Sequence, residues 1–300
     1  MLRVRHVAVA ALLLAAAGCS RPAPDAATGA KEPSGEPAVT AGESLDVLKD
    51  WTARHNEAIT SGDERQWREA VTGALEAPVG ARVHTYGKLP KTAEISLANP
   101  VFYVPRLDGF PKWFGVAALE RSAGGEQQIL GVFVKAKKGD GWRAAHWLTF
   151  QGQPPQLAYD EEGYAVPAPD RGLPAAHAKY LASGDESAVV PDAYSRNARA
   201  KKIGDWTSEP GGFTPGPGPS YALRTKDGGS LVWYGLKQEQ TLTGGADDTL
   251  PAEVRDYLDK NDDKPGKTLR TSWQWLAIGY APPSGKARVL GESVSLTAAR

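Results

Sequence analysis

The chain contains two related stretches, His55-Asn-Glu-Ala-Ile-Thr-Ser-Gly-Asp-Glu64 and His177-Ala-Lys-Tyr-Leu-Ala-Ser-Gly-Asp-Glu186. They share a histidine, an aliphatic residue and Ser-Gly-Asp-Glu at the same spacing, and they lie 122 residues apart. Two further pairs follow in the same order: Trp113-Phe114-Gly115 with Trp233-Tyr234-Gly235 at an offset of 120, and Tyr103-x-x-Arg106 with Tyr221-x-x-Arg224 at 118. Offsets this similar indicate a duplicated domain. About 120 residues in each copy is the size of a folded domain rather than of a solenoid repeat.

Each copy begins with an amphipathic helix. In the first copy, apolar residues recur at spacings of three and four over 45–59, and Gly62 supplies a left-handed stop. In the second copy, the same pattern covers 173–181 and ends at Gly184. The aspartate after each glycine can cap a following helix.

Aromatic-rich segments after these helices predict antiparallel strands. They lie at 101–104, 113–119, 128–136 and 142–150 in the first copy, and at 221–224, 231–242, 271–281 and 287–297 in the second. The second copy also carries an insertion at 244–267 with a predicted helix at 251–260. Helices first and antiparallel strands afterwards predict an α+β fold.

An opening helix that ends in Ser-Gly-Asp, a second short helix and a meander of aromatic strands together resemble the nuclear-transport-factor-two-like, or cystatin-like, fold. This resemblance implies two tandem cones, in each of which a curved antiparallel sheet wraps the first helix. The first cone is expected at 44–153 and the second at 172–300, with a linker at 154–171.

The N-terminus has the three parts of a secretory signal. Arg3 and Arg5 precede an apolar stretch at 7–17, and small residues lead to Cys19, the only cysteine. The pattern resembles the signal of a bacterial lipoprotein, and the whole chain resembles actinobacterial lipoproteins of unknown function. The resemblance implies cleavage of 1–18 and a lipid on Cys19 that anchors the protein at the extracytoplasmic face of the cell membrane. The alternatives are a conventional cleaved signal and a membrane-spanning helix, but 7–17 is short of the roughly 20 residues that a bilayer core requires.

Residues 19–43 are expected to form a disordered tether, and the alternative is a structured arm docked on the domain. From residue 20 to residue 43 the chain has no aromatic residue and no leucine whose burial would offset the entropy of ordering. As a flexible coil this segment spans about 25–30 Å. The domains would therefore stand clear of the lipid headgroups.

The charge composition argues against nucleic acid as a partner. The chain has 35 Lys+Arg and 35 Asp+Glu, and no basic cluster with interleaved aromatic residues. The partners predicted instead are the membrane, through the lipid on Cys19, and an envelope protein, a glycan or an apolar ligand. No cofactor and no metal site are expected, because the histidines lack a second ligand at metal-binding spacing.

His55 and His177 lie on the apolar face of the first helix of each copy. In enzymes of the resembled fold, acid–base residues point into the cone from this helix, and histidine titrates near neutral pH. No strand aspartate is placed to assist, since Asp108 and Asp227 stand beside turn glycines. The other interpretation is that both histidines are core residues with one hydrogen bond to the sheet.

Aromatic residues on the predicted strands are candidates for a ligand pocket, which an apolar or sugar-like molecule could occupy. These candidates are Tyr103, Trp113, Trp147, Tyr221, Trp233 and Trp275. The alternative is that they fill the interior of a thin sheet domain. The Gly-Pro run 210–219 is interpreted as a surface loop, and 159–162 as a solvated acidic stretch.

These observations favour a non-catalytic envelope lipoprotein that presents two binding domains. One alternative is an isomerase or dehydratase that uses His55 or His177 as a base, with Tyr103 or Tyr221 donating to an oxyanion. The other is a structural or assembly scaffold.

Overall fold

The computed structural model describes residues 35–150, 152–192, 195 and 198–300. The helices are α1 (Ala41–Ser61), α2 (Glu64–Ala70), α3 (Glu76–Tyr86), α4 (Leu173–Ser183) and α5 (Ala252–Lys260). The strands are β1 (Glu36–Pro37), β2 (Ser96–Tyr103), β3 (Arg106–Leu107), β4 (Lys112–Ser122), β5 (Gly125–Lys135), β6 (Arg143–Thr149), β7 (Lys202–Ile203), β8 (Trp206–Pro215), β9 (Tyr221–Arg224), β10 (Ser230–Thr243), β11 (Thr268–Ala281) and β12 (Arg288–Ala299).

The strands form two larger antiparallel sheets. One has four strands in the order β2-β4-β5-β6, and the other has the order β12-β11-β10-β8-β7 with β9 also paired to β10. This confirms the predicted α+β class with antiparallel sheets. The described residues from 35 to 300 belong to one compact unit.

The Ser-Gly-Asp motif has the same local structure in both copies. Gly62 and Gly184 adopt φ of 70° and 77°, the left-handed conformation that glycine permits at a helix end. The hydroxyls of Ser61 and Ser183 accept a hydrogen bond from the backbone of the following aspartate at 3.1 and 3.2 Å. The copies then diverge, because α2 follows directly in the first copy while residues 186–192 form no helix in the second.

The first core lies between α1–α3 and the outer face of the four-stranded sheet. Trp51 of α1 is fully buried there, against Phe133 of β5 at a ring distance of 5.4 Å. Val39 joins the same core from the segment before α1. Burial of such side chains is worth about 1.5–3 kcal/mol each.

The second core lies between the two sheets and joins the predicted copies. Trp233 of β10 is fully buried, and a Cβ on Gly115 of β4 would lie 3.6 Å from its ring. A glycine of the second copy likewise approaches the first copy closely: a Cβ added to Gly235 would lie only 2.8 Å from the side chain of Ala74. The repeated Trp-aromatic-Gly motif therefore supplies a bulky residue and a close-approach glycine to the packing between the copies.

The third core covers the other face of the six-stranded sheet, beneath α4 and α5. Trp275 of β11 is buried there and donates from Nε1 to Oε1 of Gln238 on β10 at 3.0 Å. Trp273 likewise donates to the hydroxyl of Thr271 at 2.8 Å. The indole N–H groups of these two tryptophans are thus satisfied by polar residues of the sheet.

The connector at 154–171 is bound to both sheets. The backbone N–H of Ala165 donates to Val104 at the end of β2 (2.9 Å), and that of Ala168 donates to Ala222 of β9 (3.0 Å). Within the predicted acidic stretch, Asp160 is mostly buried and pairs with Arg106 at 3.0 Å. The interpretation of 159–162 as wholly solvated was therefore wrong at Asp160, whose carboxylate neutralises Arg106.

Two further expectations differ from the structure. Residues 210–215 belong to β8 rather than to a surface loop, and prolines are tolerated because most of β8 pairs only with β10 and leaves its other edge free. Residues 35–43 were assigned to the tether, but β1 pairs with β3 and Ala38 donates to Pro105 at 2.9 Å. The predicted signal at 1–18 and the tether at 19–34 lie outside the described residues.

Candidate functional site

His177 lies in a closed polar cluster beneath α4. Its side chain is fully buried, with Nδ1 2.9 Å from the hydroxyl of Tyr234 and Nε2 3.3 Å from the hydroxyl of Ser195. Ser195 donates in turn to Asp192 at 2.8 Å. A neutral imidazole protonated on Nε2 satisfies this chain, in which Tyr234 donates to His177 and His177 to Ser195.

A strand carboxylate also meets His177, which sequence reasoning missed. Oε1 of Glu292 on β12 lies 3.0 Å from Nε2, although the geometry is not that of a hydrogen bond and both carboxylate oxygens are without a hydrogen-bond partner among the described residues. The search for an acid was restricted to aspartates. Only the register of β12, which contains a bulge opposite Ile278 and Gly279, turns Glu292 inward.

His55 has different surroundings at the matching position of α1. Its ring packs against Trp51 at 4.9 Å and Trp67 at 5.1 Å, and its Nδ1 is buried without a partner among the described residues. Burial, together with the nearby charge of Arg82, lowers the pKa of His55 to about 4. The neutral ring is therefore the form held in this core at physiological pH.

Most of the predicted pocket residues lie in packed cores. Tyr103, Trp113, Tyr221 and Trp233 belong to the core between the sheets, and Trp275 belongs to the core beneath α4 and α5. Trp147 alone among the six lines a cavity that also includes residues of α3, α5 and β12. The alternative interpretation, that aromatic residues fill the interior, describes the other five.

The cavity that contains Trp147 is a cleft of about 420 Å³ between α3, α5 and β12, which we call the α3–α5 cleft. Its walls include Arg82 and Tyr86 of α3, Glu253 and Tyr257 of α5, Ser293 and Ser295 of β12, and the apolar residues Leu75, Leu276 and Leu296. The first copy thus contributes one wall and the second copy the other.

Trp147 is held in a fixed position at the base of the α3–α5 cleft. Its Nε1 donates to Glu120 at 2.7 Å, and its ring lies 4.3 Å from that of Trp51. A Cβ on Gly131, its cross-strand partner, would lie 2.7 Å from the indole. The ring therefore covers the glycine, and any larger residue there would displace it.

Opposite charges line the two walls of the cleft. Arg82 lies with its guanidinium carbon 4.7 Å from the centre of the Trp67 ring, and burial lowers its pKa. Burial raises the pKa of Glu253 on the facing wall, while a hydrogen bond from the backbone of Leu296 opposes that shift. Arg82 and Glu253 form no salt bridge with each other.

The rim of the cleft is closed by contacts between α3 and α5. The hydroxyl of Tyr86 donates to Asp256 at 2.9 Å, and Nε2 of His84 lies 2.9 Å from Oδ1 of Asn261. These contacts are exposed, so they orient the two helices more than they stabilise them.

The residues of α3 escaped sequence reasoning because Pro78 and Gly80 interrupt the helical pattern. Pro78 lies in the first turn, where the missing N–H has no helical partner to lose. The signal that could have revealed the helix is the spacing of four between Val79 and Val83, and between Arg82 and Tyr86.

A second cavity, of about 580 Å³, borders a different face of α3, between α2 and Lys237 of β10. Arg68, which lines this second cavity, is already paired with Glu64 at 2.8 Å.

Among the residues from 35 onward that the structure describes, no helix is both long and apolar enough to cross a membrane. In the same residues, no three acidic, histidine or cysteine side chains are grouped to hold a metal ion.

Comparisons with known proteins place the chain among bacterial lipoproteins. Residues 35–300 match the family model described as "Domain of unknown function (DUF8094)". The "Uncharacterized lipoprotein SCO2278" of Streptomyces coelicolor is 27% identical over 288 residues, which cover 88% of this chain and 86% of the relative. The "Uncharacterized lipoprotein SCO6871" of the same organism is 31% identical over 268 residues, covering 77% and 74%.

No solved structure matches the chain. The family match spans both predicted copies and begins at residue 35, just before β1. The chain therefore belongs to the DUF8094 family, and it is similar to Streptomyces proteins that are named lipoproteins.

Proposed function

We propose that the protein is a lipid-anchored, extracytoplasmic binding protein that holds a small molecule in the α3–α5 cleft without transforming it. The observation that carries the proposal is the composition of this cleft. It combines an ordered indole at Trp147, an unpaired cation at Arg82 and apolar leucines in one cavity. Its volume of about 420 Å³ falls within the range of small-molecule sites, about 300–1,000 Å³.

The anchoring part of the proposal rests on Cys19 and on the relatives. Both relatives are named lipoproteins, and Cys19 ends an apolar segment that has the parts of a secretory signal. In this proposal the lipid sits on Cys19, residues 20–34 are the tether, and the binding unit begins at β1. The duplicated cone also remains part of the proposal, supported by the matching Ser-Gly-Asp geometry.

An enzyme built on a histidine base is the second candidate. The contact of Glu292 with His177 favours it, since a carboxylate near an imidazole is a common acid–base arrangement. Complete burial of His177 weighs against it, because a base must reach its substrate within hydrogen-bond distance. Labelling with diethylpyrocarbonate separates the two: modification of His177 in the folded protein would support an accessible base, and protection would support a core residue.

Anchoring is tested by Cys19→Ala in the intact chain. The variant is expected to leave the membrane fraction and to lose metabolic labelling with a fatty acid. Retention of both properties would contradict a lipid on Cys19.

Binding is tested by filling the cleft. Ser295→Trp places an indole between β12 and α3, whereas Ser284→Trp places one in the exposed turn before β12 as a matched control. Native mass spectrometry of protein purified from the envelope should show one small molecule bound to the wild type and the control but absent from Ser295→Trp. If Ser295→Trp retains that molecule, or if the wild type carries none, the cleft is not the binding site.

A further inference from the structure

Arg82 is a partly buried cation without a counter-charge among the described residues. Within the described part of the chain, no carboxylate lies within 4.0 Å of its guanidinium. The guanidinium carbon instead lies over the Trp67 ring, 4.7 Å from the ring centre. Arg106, which is also partly buried, is neutralised by Asp160 at 3.0 Å, and Arg54 and Arg199 donate to backbone carbonyls. Arg82 has neither kind of partner among the described residues.

A desolvated charge is costly unless an opposite charge meets it. Arginine cannot escape this cost by becoming neutral, because the guanidinium keeps its proton at physiological pH. Cation–π contact with Trp67 recovers only about 0.5–2 kcal/mol. An anionic group that enters the α3–α5 cleft would supply the missing partner.

The rest of the cleft limits what that anion can be attached to. Leu276, Leu296 and Trp147 offer apolar surface beside Arg82, which suits a hydrocarbon or aromatic body. Glu253 on the facing wall repels a second negative group. These features select a molecule with one anionic head and an apolar body.

We propose that the α3–α5 cleft binds a singly headed anionic amphiphile, whose carboxylate or phosphate group lies on Arg82 and whose apolar body lies against Trp147, Leu276 and Leu296. This inference rests on the proposed function and specifies the ligand class of the same site. The head group pairs with the guanidinium through charge-assisted hydrogen bonds, the strongest that a protein side chain makes.

The experiment uses the Cys19→Ala chain, without detergent, and three probes that each contain eight carbons: octanoate, octyl phosphate and 1-octanol. Calorimetry should show the anionic probes binding about tenfold or more tightly than the alcohol. Arg82→Met should abolish this preference and Arg82→Lys should retain part of it. Arg65→Met, at an exposed arginine, should leave it unchanged. The anionic probe that binds more tightly identifies the preferred head group.

Two further readouts separate binding from a structural role. The melting temperature of unliganded Arg82→Met should stay equal to or exceed that of the wild type, since an unpaired cation is removed. Burial and the charge of Arg82 lower the pKa of His55 to about 4, so octyl phosphate, which stays anionic at that pH, should raise this pKa in NMR titration and 1-octanol should not.

The inference is wrong if 1-octanol binds as tightly as octanoate, if Arg82→Met keeps the preference, or if neither anionic probe binds. The proposed function survives each of these results when the envelope molecule still disappears from Ser295→Trp. If the anionic probes fail in these ways and the envelope molecule also remains bound to Ser295→Trp, the cleft is rejected as a binding site.

Discussion

The two copies carry a histidine at the same position of the first helix, yet the two side chains have opposite surroundings. His177 is part of a chain of polar groups that runs from Tyr234 through Ser195 to Asp192. His55 lies between indoles and has a buried nitrogen without a partner among the described residues. The repeat therefore preserves the backbone and the helix end, while the polar environment belongs to each copy.

The same difference extends to the surfaces of the helices. α4 of the second copy covers a closed core, whereas α3, which follows α2 in the first copy, forms a wall of the cleft. Buried side-chain atoms without a hydrogen-bond partner occur in both copies, among them His55 Nδ1 in the first and the Glu292 carboxylate in the second. The proposed binding site lies where the two predicted copies meet rather than inside either one.

The largest expected effect comes from the core that joins the copies. Trp233→Ala removes a fully buried indole and should lower the free energy of unfolding by about 3–5 kcal/mol. Because both sheets pack on this residue, unfolding should remain a single transition in which amide exchange rises in β4 and β10 together. Val101→Ala, at an exposed position of β2, is the control. Separate transitions for the two sheets would contradict a common core.

Equivalent substitutions at the paired histidines should have unequal costs. His177→Phe deprives Tyr234 and Ser195 of their partner, and we expect a loss of about 2–4 kcal/mol. His55→Phe removes an unsatisfied nitrogen from an aromatic site and should cost less than about 1 kcal/mol. Chemical denaturation of both variants measures the difference, and equal costs would show that the environments are equivalent.

Acid should destabilise the protein through the first copy. Burial lowers the pKa of His146 to about 3, and that of His55 to about 4 with help from Arg82, from 6.5 in the unfolded chain. As the pH falls, these histidines are protonated in the unfolded chain before they are protonated in the folded protein. The stability that the neutral rings contribute is therefore fully present above pH 6.5 and is lost as the pH falls toward the folded-state pKa values. Between pH 6.5 and 5.5, proton binding by each of these histidines in the unfolded chain should lower the free energy of unfolding by about 1 kcal/mol.

Denaturant unfolding at these two pH values checks the acid effect. In His146→Leu the drop in unfolding free energy between the two pH values should be about half that of the wild type. In His84→Gln, at an exposed histidine, the drop should equal that of the wild type. An unchanged pH dependence in His146→Leu would show that His146 does not carry it.

The smallest effect is expected at the rim of the cleft. Tyr86→Phe removes the hydrogen bond to Asp256 that joins α3 and α5, and the cost should be about 0.5 kcal/mol because both groups are exposed. Thermal melting measures this change. A loss as large as that of Trp233→Ala would mean that the rim, and not the buried core, holds the copies together.

Most elements could be predicted from the sequence because their signals are local. The strands at 113–119 and 128–136 follow from alternation and aromatic content, and the helix ends at Gly62 and Gly184 from the need for a left-handed residue. β8 and α3 were missed because proline and glycine usually interrupt such elements. An unpaired strand edge and a first helical turn tolerate them.

The site was predicted only in part. Trp147 was identified as an aromatic candidate, but five residues of the same type fill cores, and residue type does not distinguish the two cases. Arg82 and Glu253 face each other across the cleft although 171 residues separate them. No pattern along the chain indicates such a meeting.

The amino-acid sequence alone indicates the duplication, the α+β class, the Ser-Gly-Asp helix ends and a lipoprotein-type signal, because each of these depends on near neighbours or on comparison of the chain with itself. Tertiary structure decides that the two sheets share one core, that Glu292 meets His177 and that Arg82 is left without a counter-charge. These features depend on strand register and on packing between distant segments, where one residue of slip changes which side chains face each other.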